Sequence, residues 1–593
     1  MRTTPRRRPT STSPRLPTPN DLMCRSVFPM TTNGGIMKKQ KIIRRRPERK
    51  EPPGLSSVIP TFATGLAVLL VVSACTSIDD GAGEAAPASA PPAGLAATPP
   101  REVAQQIDRA DVDAAVEELD GFVHDTMSRT GVPGVAVAVV YQDEVVYARG
   151  FGVRKTGEPA EVDTSTMFQL ASVSKSLASS VVAAQVGSGR IAWDDPVRTH
   201  EPNFAVADPY VTEHATFTDL MSHRSGLPDH GGDLLEDLGY DYDDIVSKLD
   251  QYPLTRFRDS YAYSNYGFSV AGMAAAKAEG LTWAELSEQT IYEPLGMANT
   301  TSSVDEWLNA ANRASTHVLA EPDSTSWRVD DTSNPEAQSP AGGASSSVDD
   351  MARWMRMELA GGQFEGRQIV APEALQFTHQ AHAFSHPATI PGARDSFYGT
   401  GFTIDTDDEG RVQVAHAGAF ALGASTDVTL LPSEGLGIVV LANSAPVGVA
   451  ETITAQFLDY VKHGTLTVDW APFIAERFRL MLEHAESPVD YANPLPGADD
   501  PQPASSYAGV YASPLYGAAE VVAEGEELVL VLGKDMQLRY PLTHFDSDTF
   551  WFHTSGENAV GPTGITFDVT AGASTAFTVE YLDTLGLGTF TRS

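Results

Sequence analysis

Residues 168–179 read "FQLASVSKSLAS" and place a serine, Ser172, three positions before a lysine, Lys175. A neutral serine hydroxyl is a poor nucleophile and needs a neighbouring base to take its proton during attack. On a helix, residues three apart share a face with Cβ atoms about 5–6 Å apart, so the Lys175 amine reaches the Ser172 oxygen. The flanking residues supply such a helix: Val173, Leu177, Val181 and Ala184 fall on one side, and Gly187 and Gly189 mark its end. Ser172 then stands at the helix N-terminus, where backbone N–H groups and the dipole favour developing negative charge. The spacing alone is common on helix surfaces, so its meaning depends on what the rest of the chain brings to it.

Two stretches bring chemistry. In "YAYSNYGFSVAG" (residues 261–272), Tyr263 and Asn265 stand two apart just before a helix, so a phenol and an amide can enter one cleft. "HAG", His416 to Gly418, ends a strand, where glycine lets backbone approach a ligand closely. Two other patterns are weaker. "GFSVA", Gly267 to Ala271, falls one residue short of the G-x-S-x-G elbow, and its Ser269 lies inside a helix rather than at a strand-to-helix turn. "HQAHAFSH" sets His379, His382 and His386 at helical spacing, but it lacks the glutamate of H-E-x-x-H and Pro387 breaks the helix. It reads as a surface loop, and no metal or other cofactor is expected.

Around these motifs, an amphipathic helix from Val112 leads into a hairpin of Val135–Tyr141 and Val145–Gly150, joined by Gln142, Asp143 and Glu144. A long helical section follows. Three strand-like runs, "RVQVAHAG", "GASTDVTLLP" and "GLGIVVLANS", then fill residues 411–444. Hairpin and runs together predict one five-stranded antiparallel sheet with the helical section inserted between them, an α+β fold. The helical "FIAERFRLMLEHAE" reads as a connector, and short alternating strands from Ser506 predict a small all-β barrel or sandwich.

Ser-x-x-Lys, then Tyr-x-Asn, then His-x-Gly, in that order, resemble the three motifs of serine β-lactamases and penicillin-binding proteins, with Tyr-x-Asn similar to the class C branch. The connecting segments "IAWDDPVRTHEPNF", "FTDLMSHRSGLPDH", "SPAGGASSSVDDMARWM" and "GIVVLAN" resemble linking signatures of the same hydrolases, and the likeness runs from Val112 to His463. The resemblance implies that Ser172 is acylated, with Lys175 and Tyr263 as the proton-transfer pair; which of the two is the base stays open. It further implies that Asn265 hydrogen-bonds the substrate amide or Lys175, and that the N–H groups of Ser172 and Ala419 form the oxyanion hole. The third motif departs from the Lys-Thr-Gly of penicillin-recognising members. His416 replaces a fixed cation that would meet a substrate carboxylate. Such variants look like the esterase, D-amino-acid peptidase and broad hydrolase members. The C-terminal domain, with "YAGVY" and "LTHFDSDTFWF", resembles the lipocalin-like domain appended to many of them. The expected activity is cleavage, at the cell envelope, of an ester or amide in a small molecule or peptide, whether as a carboxylesterase, a D-amino-acid peptidase or a β-lactamase-like enzyme; the competing reading is a non-catalytic scaffold or sensor of cell-wall fragments.

Charge and the N-terminal region bear on location. Residues 1–74 hold 14 Lys and Arg against 3 Asp and Glu, and all later residues 27 against 74. So acidic a remainder argues against nucleic acid as a partner, since phosphate neutralisation needs a basic face. From Met37, the expected true start, a basic stretch, the apolar run Val58–Val72 and a small-residue end follow the plan of a secretory signal. Val72-Ser73-Ala74-Cys75 resembles the lipobox of bacterial lipoproteins, which implies export and a lipid anchor on Cys75. With the other cysteine, Cys24, in the leader, no disulfide is expected. The expected division is a leader over 1–74, an Ala/Pro/Gly-rich tether over 75–106, the hydrolase domain over 107–463, a connector over 464–505 and the β domain over 506–593.

Overall fold

The computed structural model describes residues 106–593 apart from 322–323, 389–393, 486 and 494–496. The leader, Met37, Cys75 and the tether up to residue 105 lie outside the described residues.

The first helix, α1 (Arg109–Thr130), starts at a capping box in which Asp108 and Asp111 satisfy each other's backbone N–H groups, and stops at Gly131 in the left-handed region. The principal sheet has eight antiparallel strands: β1 (Gly134–Tyr141), β2 (Glu144–Gly152), β3 (Ala383–His386), β4 (Ser396–Tyr398), β5 (Thr403–Thr406), β6 (Val412–Phe420), β7 (Ala424–Leu431) and β8 (Leu436–Ala442). Their order is β2-β1-β8-β7-β6-β5-β4-β3. The five strands expected from sequence are the contiguous block β2 to β6 of that order, and three short strands extend it. In the "HQAHAFSH" stretch residues 379–382 lie in a turn and loop, as expected, while Ala383–His386 form the edge strand β3. Gln142 and Asp143 both sit at positive φ, 48° and 67°, the two-residue turn whose twist matches the flanking strands. Glu144 therefore opens β2 instead of lying in the loop.

The sheet is covered on both faces, which explains why β1 and β8 read as unbroken apolar runs. Val135, Val137, Val139 and Tyr141 of β1 pack with Ile438 and Val440 of β8 against α1 and α6 (Val449–His463). The alternate residues Ala136, Ala138 and Val140 belong to the larger core on the other face. That core takes in α2 (Ser174–Gly187), α3 (Asp233–Asp237), α4 (Asn265–Glu279) and α5 (Val348–Leu359). A connector helix, α7 (Trp470–Ala485), leads to a closed eight-stranded barrel of β9 (Gly509–Ser513), β10 (Gly517–Glu524), β11 (Glu527–Leu532), β12 (Leu538–Asp546), β13 (Thr549–His553), β14 (Pro562–Thr570), β15 (Ala573–Val579) and β16 (Thr589–Arg592). Aromatic rings fill it: Phe567 and Phe577 meet edge to face, Tyr511 meets Phe577 in the same way, and Tyr507 tilts against Phe567. Among the described residues no helix is long and apolar enough to cross a membrane.

Candidate active site

Ser172 sits in a single 3-10 turn, Ala171–Val173, that feeds α2. Ala171 adopts φ 47°, a strained conformation for a residue with a Cβ. The turn lifts Ser172 to partial exposure while its neighbours Ala171, Val173 and Ser174 are buried. Leu177 and Val181 anchor α2 in the core as their spacing predicts.

Lys175 is fully buried. Its Nζ donates to Ser172 Oγ at 3.1 Å, to Asn265 Oδ1 at 2.7 Å and to the Ala341 carbonyl at 2.9 Å. Burial outweighs the attraction of Asp233 and brings its pKa down to about 7. Tyr263 donates its hydroxyl to Ser172 Oγ at 2.8 Å. Burial pushes the phenol far above its ordinary range, so Tyr263 stays protonated at neutral pH. The fold thus brings the serine, amine and phenol of two distant segments to one oxygen atom, with the Asn265 amide on the far side of the amine.

Three residues that the sequence did not single out hold this arrangement. Asp233 accepts from Asn265 Nδ2 and pairs with His230 Nδ1, both at 2.8 Å. Because the Asn265 NH2 faces a carboxylate, its carbonyl must face the Lys175 amine. His223 packs on the Tyr263 ring at 4.5 Å between centroids and accepts from the Ser264 N–H, while the His230 N–H donates to the Tyr263 carbonyl. All three lie in "SHRSGLPDHGGD", whose first part belongs to the linking segment "FTDLMSHRSGLPDH"; that likeness and the density of titratable residues between glycines marked the stretch but assigned no role to any one of the three. Behind them, buried Asp219 binds Arg224 and Arg258, tying the 256–263 loop to the helical section.

On the opposite side, β5 pairs with β6 only over Val412–Ala415, so beyond that point β6 runs against the Ser172 turn. A Cβ on Gly418 would lie 2.3 Å from the Leu170 carbonyl oxygen and 2.9 Å from Ser172 N, which explains the glycine of the third motif. Ala419 follows on the same strand, opposite Ser425 of β7. His416 is buried; its Nδ1 meets the Ala417 carbonyl at 2.6 Å and its Nε2 meets the Tyr398 hydroxyl at 2.8 Å. Burial, with the nearby Lys175, lowers its pKa to about 3, so it is neutral. The structure places no permanent cation where the lysine of penicillin-recognising relatives would stand.

The remaining candidates lie elsewhere. Ser269 is buried within α4. His379 pairs with Glu358, and His382 meets the Phe377 carbonyl. Among the described residues no group of three His, Cys, Asp or Glu side chains could hold a metal ion.

The arrangement sets a serine hydroxyl against an amine and a phenol, as a serine hydrolase requires. Residues 113–460 match the Beta-lactamase family and residues 493–586 a Domain of unknown function, DUF3471. The chain belongs to the Beta-lactamase family and is a serine hydrolase of the β-lactamase and penicillin-binding-protein superfamily. Among its relatives, the unguisins hydrolase ungD' of Aspergillus campestris is 24% identical over 440 residues, covering 70% of this chain and 80% of its own. The D-alanyl-D-alanine-carboxypeptidase/endopeptidase AmpH of Escherichia coli is 23% identical over 339 residues, 56% of this chain and 85% of its own. The octameric penicillin-binding protein homologue from Pyrococcus abyssi shares the fold at a TM-score of 0.52 and 20% identity, over 80% of this chain and 100% of that one.

Proposed function

We propose that this hydrolase cleaves an ester or amide through an acyl-enzyme on Ser172. The observation that carries the reading is that Lys175 Nζ and the Tyr263 hydroxyl both lie within hydrogen-bond distance of Ser172 Oγ, at 3.1 and 2.8 Å. Lys175 is the base in this scheme, because its amine is substantially unprotonated near neutral pH whereas the phenol is not. Ser172 Oγ attacks the substrate carbonyl and its proton passes to Lys175 Nζ. The tetrahedral oxyanion lies between the N–H groups of Ser172 and Ala419, where one donor contributes about 3 kcal/mol of barrier stabilisation. Tyr263 donates to the leaving oxygen or nitrogen as the C–O or C–N bond breaks, and is reprotonated from Lys175. Water then repeats the sequence on the acyl-enzyme.

Neutral His416 supports esters and uncharged amides over substrates whose carboxylate needs a cation. Export and lipid anchoring at Cys75, which would place the enzyme at the bacterial cell envelope, belong to the same proposal. A fluorophosphonate probe should label wild type and not Ser172→Ala; equal labelling, or none of either, would leave the non-catalytic scaffold. Nitrocefin, short-chain p-nitrophenyl esters and D-alanyl peptides assayed side by side should rank the esters first.

A further inference from the structure

We propose that the C-terminal barrel is part of the catalytic frame, with its loop Gly556–Asn558 acting as a positioning element that grips the active site from two sides. The inference rests on the acyl-hydrolase reading of Ser172 and assigns barrel residues a part in it.

The loop joins β13 to β14 and enters the hydrolase domain beside the site. On one side it is held by α3. The carboxylate of Asp237, at the end of that helix, accepts from the Glu557 N–H at 2.9 Å and the Asn558 N–H at 2.8 Å. Asn558 Nδ2 in turn donates to the backbone carbonyl of Asp233, at the start of α3, at 3.3 Å. Asp233 is the residue that orients Asn265, and through it Lys175. On the other side the Glu557 carboxylate accepts from the N–H groups of Ala421 and Leu422, at 2.7 and 3.1 Å. These residues follow the end of β6 immediately after Ala419 and Phe420. Each domain thus offers one carboxylate to two N–H groups of the other, and the two grips bracket the nucleophile: one beside the base, one beside the oxyanion strand.

Local structure makes both grips necessary. α3 is a five-residue helix whose N-cap, Gly232, supplies no side-chain bond. A helix that short has no stability of its own and takes its direction from tertiary contacts. The grip is also sterically exact about its glycine. Gly556 has φ +105°, and a Cβ there would lie 2.7 Å from Asp237 Cγ, so any larger residue must move the carboxylate that holds the loop.

A barrel that only screened the site would act on substrate entry, whereas a frame acts on the geometry of attack, where small misplacements of reacting groups are costly. The test uses the full-length chain with Glu557→Ala, Glu557→Gln and Gly556→Ala, assayed with p-nitrophenyl butyrate and by the rate of fluorophosphonate labelling, all below the thermal transition of each variant. Glu557→Ala and Gly556→Ala should lower kcat about ten- to a hundred-fold while KM stays within about two-fold. Glu557→Gln, which keeps one acceptor oxygen, should fall between wild type and Glu557→Ala. If Glu557→Ala does not fold, the other two variants carry the comparison. Unchanged kcat in the folded variants, a change confined to KM, or a rise in turnover would overturn the proposal. Wild type that is not labelled at Ser172 would instead sink the hydrolase reading, so the two failures are told apart.

Discussion

Lys175 holds its amine against three oxygen acceptors with no solvent contact, and that enclosure makes its proposed role as base testable. Lys175→Ala should lower turnover of a p-nitrophenyl ester about 10²- to 10⁴-fold, while Tm moves by less than about 5 °C. Comparable losses in both would mark a structural lysine. The sign of the pH dependence follows from the lowered pKa. Below about 7 the ammonium form is loaded and accepts no proton, so kcat/KM should fall on the acid side of that value. Asp233 raises the Lys175 pKa by its charge. In Asp233→Asn the acid limb of the remaining activity should therefore move to lower pH, read from kcat/KM between pH 5 and pH 9. Ser172, Lys175, Tyr263 and Asn265 were legible in the sequence because each motif is local and their order is diagnostic. Asp233, His230 and His223 were not, because a carboxylate that orients an amide two segments away leaves no spacing to read.

At the scale of elements, α3 places three carboxylates within five residues, and they behave differently. Asp233 is engaged by His230 and Asn265. Glu236, packed against the Tyr266 hydroxyl and the Gln338 amide, is pushed up to about 8 by burial and the neighbouring Asp233. A carboxyl whose folded pKa lies above its unfolded value binds more protons in the native state, so its contribution to stability falls as pH rises from its ordinary range through about 8. Glu236→Gln removes that ionisation. The Tm of the variant relative to wild type should accordingly increase between pH 5.5 and pH 8.5; a difference that stays flat would refute the burial argument. The strands divide by the same logic of local signal. β1, β7 and β8 are buried along their whole length, and β1 and β8 announced themselves as apolar runs, whereas β7 mixes Ser425, Thr426, Asp427 and Thr429 with its apolar residues and was marked by its bounding turn residues. β3, β4 and β5 are three or four residues long, half-exposed and mixed in character, so they showed no alternation. The barrel strands were readable because turn residues punctuate them, although closure itself depends on the pairing of β9 with β16, which no local pattern encodes.

Across the molecule, 27 basic against 74 acidic residues after position 74 leave a strong excess of negative charge, and self-repulsion of like charges opposes the compact state. Raising ionic strength from about 0.01 M to about 0.5 M shortens the screening length from about 30 Å to a few Å, and Tm should rise with it. A melting temperature that falls with added salt would point to attractive ion pairs as the dominant surface term. The placement of β1 in the middle of the sheet has a different consequence. Its neighbour β2 is made at once, but β8, which faces Val135 with Ala442, is translated roughly three hundred residues later. Until then a strand that is greasy on both sides has one open edge and only α1 to lie on, so the newborn chain stays vulnerable to sticking to its neighbours for about half of its synthesis.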